Sequence, residues 1–170
     1  MANHLDQIID VAAAAQDKPW QFVLIGDGME KKKLMLLAKE NQLNNIQFID
    51  SVSKKEVFKY ILASDIGMSV LKKVDTFKTV YSNKTFDYFA CKKPVLMAID
   101  GVSRELIEKA GAGIYVEPEN TLAYINIISD YYKNKDMIKQ HGENGYQFAK
   151  ENFDRTNLAN AYMANLTKVG

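Results

Sequence analysis

Apolar residues recur along this chain with two rhythms that take turns. In residues 4–15, HLDQIIDVAAAA, the side chains of Leu5, Ile8, Ile9 and Ala12 fall at helical spacing, and Pro19 closes the segment. WQFVLI at 20–25 is a short continuous apolar run, the pattern of a strand buried on both faces. Gly26-Asp27-Gly28 breaks it, and EKKKLMLLAKENQL at 30–43 resumes the helical period through Leu34, Leu37 and Ala38. The exchange repeats with strand IQFI (46–49), helix SKKEVFKYILAS (53–64) opened by a Ser53-x-x-Glu56 capping box, and strand IGMSVL (66–71). YSNKTFDYFACKKPVL at 81–96 holds a helix start, a short amphipathic helix and the opening of strand PVLMA (94–98). SRELIEKA (103–110) is helical, the turn at 111–113 leads into strand IYV (114–116), and from Thr121 the pattern is helical almost to the end. Three helical segments are expected there, NTLAYINIISDYYKN (120–134), KDMIKQHGENGYQFAKENF (135–153) and a last helix at 155–168, with Gly142, Gly145 and Asp154 as punctuation.

Strand alternating with helix means parallel strands joined by crossovers, with helices on both faces. The expected fold is therefore α/β: a Rossmann-like, three-layer single domain over residues 1–170, with a mostly parallel sheet of about five strands and a helical tail from about 121 to 170. Such sheets bind ligands beyond the carboxyl ends of their strands. That rule selects the loops at 26–30, 50–53, 72–84, 99–103 and 117–120.

Charge narrows the ligand. With 22 basic residues against 21 acidic ones, the net charge of +1 gives no support for a nucleic-acid surface. Only Arg104 and Arg155 are arginines, so an anion is better served by backbone N–H groups and lysines. Cys91 is the single cysteine, and His4 and His141 lie far apart without ligand spacing, so no metal site is expected. The apolar runs are too short to span a bilayer, and MANHLDQIID has no basic, apolar leader character; the expected location is cytoplasmic.

Gly26 and Gly28 follow a strand and precede a helix, a context that lets backbone approach a phosphate. They resemble the first two glycines of a dinucleotide fingerprint, with Asp50 at the end of the next strand as a ribose acid, but Lys31 stands at the third glycine. A tight strand-to-helix turn explains them almost as well. Lys31, Lys32 and Lys33 read as a solvated helix face. The 81–96 stretch is richer. Ser82 or Asn83 can cap its helix, while Asn83, Lys84, Asp87 and Cys91 share one side and Phe86, Phe89 and Ala90 the other. The helix start offers N–H groups to an anion, and Asp87 can accept hydrogen bonds from neighbouring hydroxyls. Phosphate beside hydroxyls is the pattern of a nucleotide sugar.

SNKTFDYFACKKPVL resembles the Ser-x-Lys-x-x-Glu-Tyr-x-Ala-x-Gly-x-Pro-Val segment of the retaining glycosyltransferases of family 4, which have the GT-B architecture. The similarity runs back through the Gly-x-Gly turn and the strands at 46–49 and 66–71, and forward through Gly111-x-Gly113 into the helical tail. It resembles most the branch that builds bacterial surface polysaccharides. The resemblance implies the carboxyl-terminal, donor-binding half of a GT-B fold, without the amino-terminal domain that binds a glycan or lipid-linked acceptor. The implied donor is a UDP-sugar, the implied reaction needs no metal or cofactor, and the fragment alone is expected to be inactive. A full-length protein of this kind is open to peripheral association with the inner face of the membrane.

Residue by residue, the resemblance puts Asp87 on the ribose hydroxyls, with a reach one methylene shorter than the family's Glu. It puts the N–H groups of Ser82, Asn83 and Lys84 at the diphosphate and sugar, Ser51 and Val52 against the base, and Gly26 and Gly28 beside them. Thr79 stands where the family has a sugar-touching Glu, and Lys92 where it has Gly; no catalytic residue is carried over. A dehydrogenase-like NAD domain and a non-catalytic nucleotide-sugar module remain the alternatives.

Overall fold

A computed structural model of the protein describes residues 4–154 together with 156, 159 and 163. Its elements are α1 (Asp6–Ala14), β1 (Phe22–Ile25), α2 (Lys31–Glu40), β2 (Ile46–Ile49), α3 (Lys54–Ala63), β3 (Gly67–Val70), α4 (Asn83–Ala90), β4 (Val95–Ala98), α5 (Val102–Ala110), β5 (Gly113–Tyr115), α6 (Thr121–Lys133) and α7 (Lys135–Phe153). A 3-10 turn, Asp75–Thr79, interrupts the long connection between β3 and α4. The expected final helix at 155–168 lies outside the described residues apart from 156, 159 and 163.

All three strand ladders are parallel. β1 pairs with β2 from Phe22 opposite Ile46, β3 with β4 from Gly67 opposite Val95, and β4 with β5 from Val95 opposite Gly113. The five strands form two hydrogen-bonded groups, β1-β2 and β3-β4-β5, where one sheet was expected; no ladder joins β1 to β3 among the described residues. Side chains unite the groups instead. Phe22 of β1 and Val70 of β3 share one buried cluster with Ile8, Val11 and Ala12 of α1 and Tyr124 and Ile128 of α6.

β4 separates the two helical layers. Its four side chains are all buried, and because alternate residues of a strand face opposite ways, Leu96 and Ala98 join the α1/α6 cluster. Val95 and Met97 join the opposite one, with Phe89 of α4, Leu106, Ile107 and Ala110 of α5, and Phe148 of α7 against its edge. Each large aliphatic side chain buried this way contributes about 1.5–3 kcal/mol.

Two expectations about breaks change. Gly142 and Gly145 do not end a helix; α7 runs through both. A Cβ at Gly142 would sit 2.1 Å from the Lys92 carbonyl oxygen, and one at Gly145 would sit 2.6 Å from Cδ1 of Phe89. The glycines are there so that α7 can close on α4 and the turn after it. That turn also explains position 92, which adopts φ of 54°, a conformation that costs a non-glycine residue about 1 kcal/mol or more. Lys92 accepts it while pairing with Glu143 at 2.8 Å and lying over the Tyr146 ring at 4.6 Å.

Element ends moved for local reasons. β1 begins at Phe22, where the backbone N–H first meets Asn45; α2 stops at Glu40 because Gln42 turns left-handed at φ of 52°. The capping box at Ser53 and Glu56 forms as expected, with both reciprocal hydrogen bonds present.

Gly145→Ala is expected to lower the denaturation midpoint, at a cost of about 1–3 kcal/mol for overpacking against the buried Phe89 ring. A raised midpoint would mean that the helix-propensity gain of about 1 kcal/mol outweighs that clash. Acid sensitivity has a source in His141, whose Nδ1 lies 2.8 Å from the hydroxyl of the fully buried Tyr131. Burial lowers the His141 pKa below its ordinary 6.5, so the folded state binds this proton less readily than the unfolded chain. The resulting stability is complete above the unfolded pKa and is lost as pH falls from there toward the folded one. Thermal unfolding between about pH 7.5 and 5.5 is expected to show a steeper fall for wild type than for His141→Gln; equal slopes would remove His141 as the cause.

Candidate functional site

Parallel strands put every carboxyl end on one edge, and α4 starts on that edge. Ser82 occupies the N-cap position, but its hydroxyl makes no cap. It accepts a hydrogen bond from Ser69 Oγ at 2.7 Å, while its backbone N–H donates to Ser103 Oγ at 3.1 Å. Ser103 in turn donates to the Val80 carbonyl at 2.9 Å. Ser69 and Ser103 are buried, so this chain of hydroxyls holds the residues just before the helix. The expected free N–H at Ser82 is therefore already used. Those of Asn83 and Lys84 meet no acceptor among the described residues, as the first N–H groups of a helix must unless something caps them.

Lys84 is exposed and has no carboxylate partner among the described residues. Desolvation pushes its pKa below the ordinary 10.5. One turn on, Asp87 is mostly covered and pairs with Lys54 Nζ at 2.5 Å. The buried face of α4 carries Thr85 and Phe89. Ala90, expected on that face, is exposed, because the stripe centres on the i, i+4 pair Thr85 and Phe89. Phe86 packs sideways on the rings of Tyr81 and Phe153.

The Gly26–Gly28 turn and the loop after β2 are stitched into one unit. Asp27 Oδ2 accepts from the Ser51 N–H at 2.7 Å, and Oδ1 accepts from Lys31 Nζ at 2.7 Å. Lys31 also reaches Asp50 at 2.5 Å and the Ile49 carbonyl. Lys31 is thus not the solvated lysine expected: its side chain is only 17% exposed and sits between two acids. Its hydrogen bond, with help from the Ser51 N–H, holds the Asp27 carboxyl below its usual range. Val52 follows, half-buried, and Lys54 carries the unit across to Asp87 on α4.

Thr79 ends the 3-10 turn, exposed, with its hydroxyl donating to the Thr76 carbonyl at 3.2 Å. No hydrogen bond joins it to Ser82, Asn83, Lys84 or Asp87 among the described residues. The turn rests on the start of α5, where a Cβ at Gly101 would come within 2.2 Å of the Lys78 carbonyl oxygen. An ion pair from Lys73 to Glu117, itself accepting from the Tyr115 hydroxyl at 2.8 Å, ties the connection to the end of β5.

One shallow hollow lies along α7 at Gln147, Lys150 and Glu151, and another at the loop after β4, at Asp100, Arg104, Glu105 and Glu108; three acids in the second give it the wrong sign for a phosphate. Among the described residues no three His, Cys, Asp or Glu side chains gather where they could hold a metal, and no helix is long and apolar enough to cross a membrane. Sequence reasoning missed Ser69, Ser103, Asp27 and Lys54. A serine inside the apolar run IGMSVL was a readable signal; an ion pair between residues 33 apart was not.

Residues 2–148 match the family model described as Glycosyl transferases group 1. An uncharacterized glycosyltransferase of Methanocaldococcus jannaschii is 28% identical over 147 residues, covering 86% of this chain and 40% of that protein. Anabaena HepE in complex with UDP and glucose shares the fold at a TM-score of 0.82 and 20% identity, over 97% of this chain and 45% of that one. The C-terminal domain of a glycosyl transferase group 1 family protein from Francisella tularensis shares it at 0.71 and 21%, over 88% and 78% respectively. The chain spans less than half the length of the first two and most of the third.

Proposed function

The chain belongs to the glycosyl transferases group 1, and on that premise we propose that it is the donor-binding half of a retaining, family 4 enzyme that uses a UDP-sugar. The observation that carries this reading is the start of α4. Two backbone N–H groups without acceptors among the described residues and the Lys84 ammonium stand one turn from the Asp87 carboxylate, on the ligand-binding edge of a parallel sheet.

Breaking the bond between sugar and nucleotide leaves negative charge on the departing diphosphate, and donors already aimed at it lower the barrier. Asn83 and Lys84 N–H, the positive end of the α4 dipole and the Lys84 ammonium fill that role, with no metal called upon. The Ser82 hydroxyl accepts from Ser69 and keeps its own hydrogen for the ligand. Asp87 accepts from the ribose, Ser51 and Val52 line the base, and Gly26 and Gly28 let it approach. Thr79 faces the donor sugar with a hydroxyl in place of a carboxylate.

HepE, bound to UDP and glucose, supports a uridine nucleotide. A separate domain would supply the glycan or lipid-linked acceptor site, and this chain alone would bind donor without turning over. The setting in our reading is surface polysaccharide synthesis, cytoplasmic and peripheral to the membrane. A dinucleotide is disfavoured: Lys31 holds Asp50, the acid a nicotinamide dinucleotide would need for its ribose, at 2.5 Å.

Calorimetric titration is expected to give binding of UDP and none of NADH. Asp87→Ala is expected to weaken UDP by about 1–3 kcal/mol with an unchanged circular dichroism spectrum. Binding of NADH without UDP, or full UDP affinity in the variant, would overturn the reading.

A further inference from the structure

Lys54 is oddly placed for a residue whose only business is its own helix. It sits in the first turn of α3, where a cation opposes the helix dipole, and the capping box of Ser53 and Glu56 already serves that helix end. Its ammonium is directed across to α4, 2.5 Å from Asp87 Oδ2, and also lies over the Phe58 ring, 5.1 Å from the centroid. The two partners differ in freedom. The Asp87 side chain is 24% exposed and the Lys54 side chain 64%, so the carboxylate is set in the surface and the lysine reaches to it from the solvent side. Only Oδ2 is engaged; Oδ1 has no partner among the described residues.

A carboxylate torsion is broad when nothing holds it. One charge-assisted hydrogen bond to one oxygen fixes the plane and leaves the other oxygen's lone pairs presented. We infer that Lys54 is a positioning residue of the donor site, holding Asp87 by Oδ2 so that Oδ1 accepts the ribose hydroxyls of a uridine nucleotide. The inference rests on the donor-site reading of Asp87. It adds a residue from the neighbouring helix, and it makes the two side chains one functional unit.

The test is UDP titration of wild type, Lys54→Met, Lys54→Arg, Asp87→Ala and the Lys54→Met/Asp87→Ala double variant, with thermal unfolding of each. Lys54→Met is expected to weaken UDP about fivefold, the upper range for a half-exposed charge pair, with a thermal midpoint near wild type. Lys54→Arg is expected to restore affinity to within about twofold, a rescue that a purely structural role would not need. Lys54→Met is expected to cost nothing further once Asp87 is gone. Tighter binding in Lys54→Met would mean that the lysine competes for the carboxylate, and an equal loss in the Asp87→Ala background would mean that it touches the ligand independently; either overturns the inference. No effect of Lys54→Met beside a clear loss in Asp87→Ala overturns it while leaving the donor-site reading standing. A wild type that does not bind UDP, or an Asp87→Ala variant that binds it fully, overturns both.

Discussion

Burial of β4 on both faces is the constraint from which the site's geometry follows. Val95, Leu96, Met97 and Ala98 are inaccessible to solvent, and the strand they form is paired in parallel on each side. Parallel pairing forces every connection to cross from one edge to the other, so the chain leaves each strand at the same edge and the loops there are neighbours whatever their distance in sequence. It also fixes where α4 begins and ends, since that helix is the crossover into β4. Phe89 anchors it on the sheet. Gly142 and Gly145 let α7 close behind it. With its far end held in this way, the front of α4 is left over the edge with its first N–H groups open.

Electrostatics on that edge is a matter of which charges are already spent. Lys31 is shared between Asp27 and Asp50, which leaves one negative charge there, and Lys73 is matched by Glu117. Among the described residues Lys84 is not matched by a carboxylate, and Asp87 is matched through one oxygen only. A site for an anion carrying hydroxyl groups needs that remainder: open N–H groups, one cation and one available carboxylate oxygen. A near-neutral chain can carry it because a few groups of fixed position do what a broad basic surface does for nucleic acid.

Much of this was legible in the residues. The alternation of periods located the five strands and, among the described residues, the helices to within a few residues, because short continuous apolar runs and amphipathic helices have different periods; burial on both faces holds throughout β4 but not in β1, where Val23 is exposed. The capping box of Ser53 and Glu56 was legible because its partners are three residues apart. What depends on close approach was not. Gly142 and Gly145 read as breaks, since nothing local distinguishes a helix-ending glycine from one that makes room for Phe89. Ser82 read as a free cap, since its partners Ser69 and Ser103 come from another strand and another helix. Lys31 read as solvated although two distant loops enclose it. One sheet was expected where two hydrogen-bonded groups form, because apolar runs report burial and not which neighbour completes the ladder.

The central claim is that the open N–H groups of Asn83 and Lys84 receive the phosphates of a uridine nucleotide. Backbone amide resonances of isotopically labelled protein, followed as UDP is added, test it most directly. The largest shifts are predicted at Asn83 and Lys84, with smaller ones at Gly26 and Ser51. Unmoved resonances at Asn83 and Lys84, with UDP-dependent shifts gathered elsewhere on the surface, would contradict it.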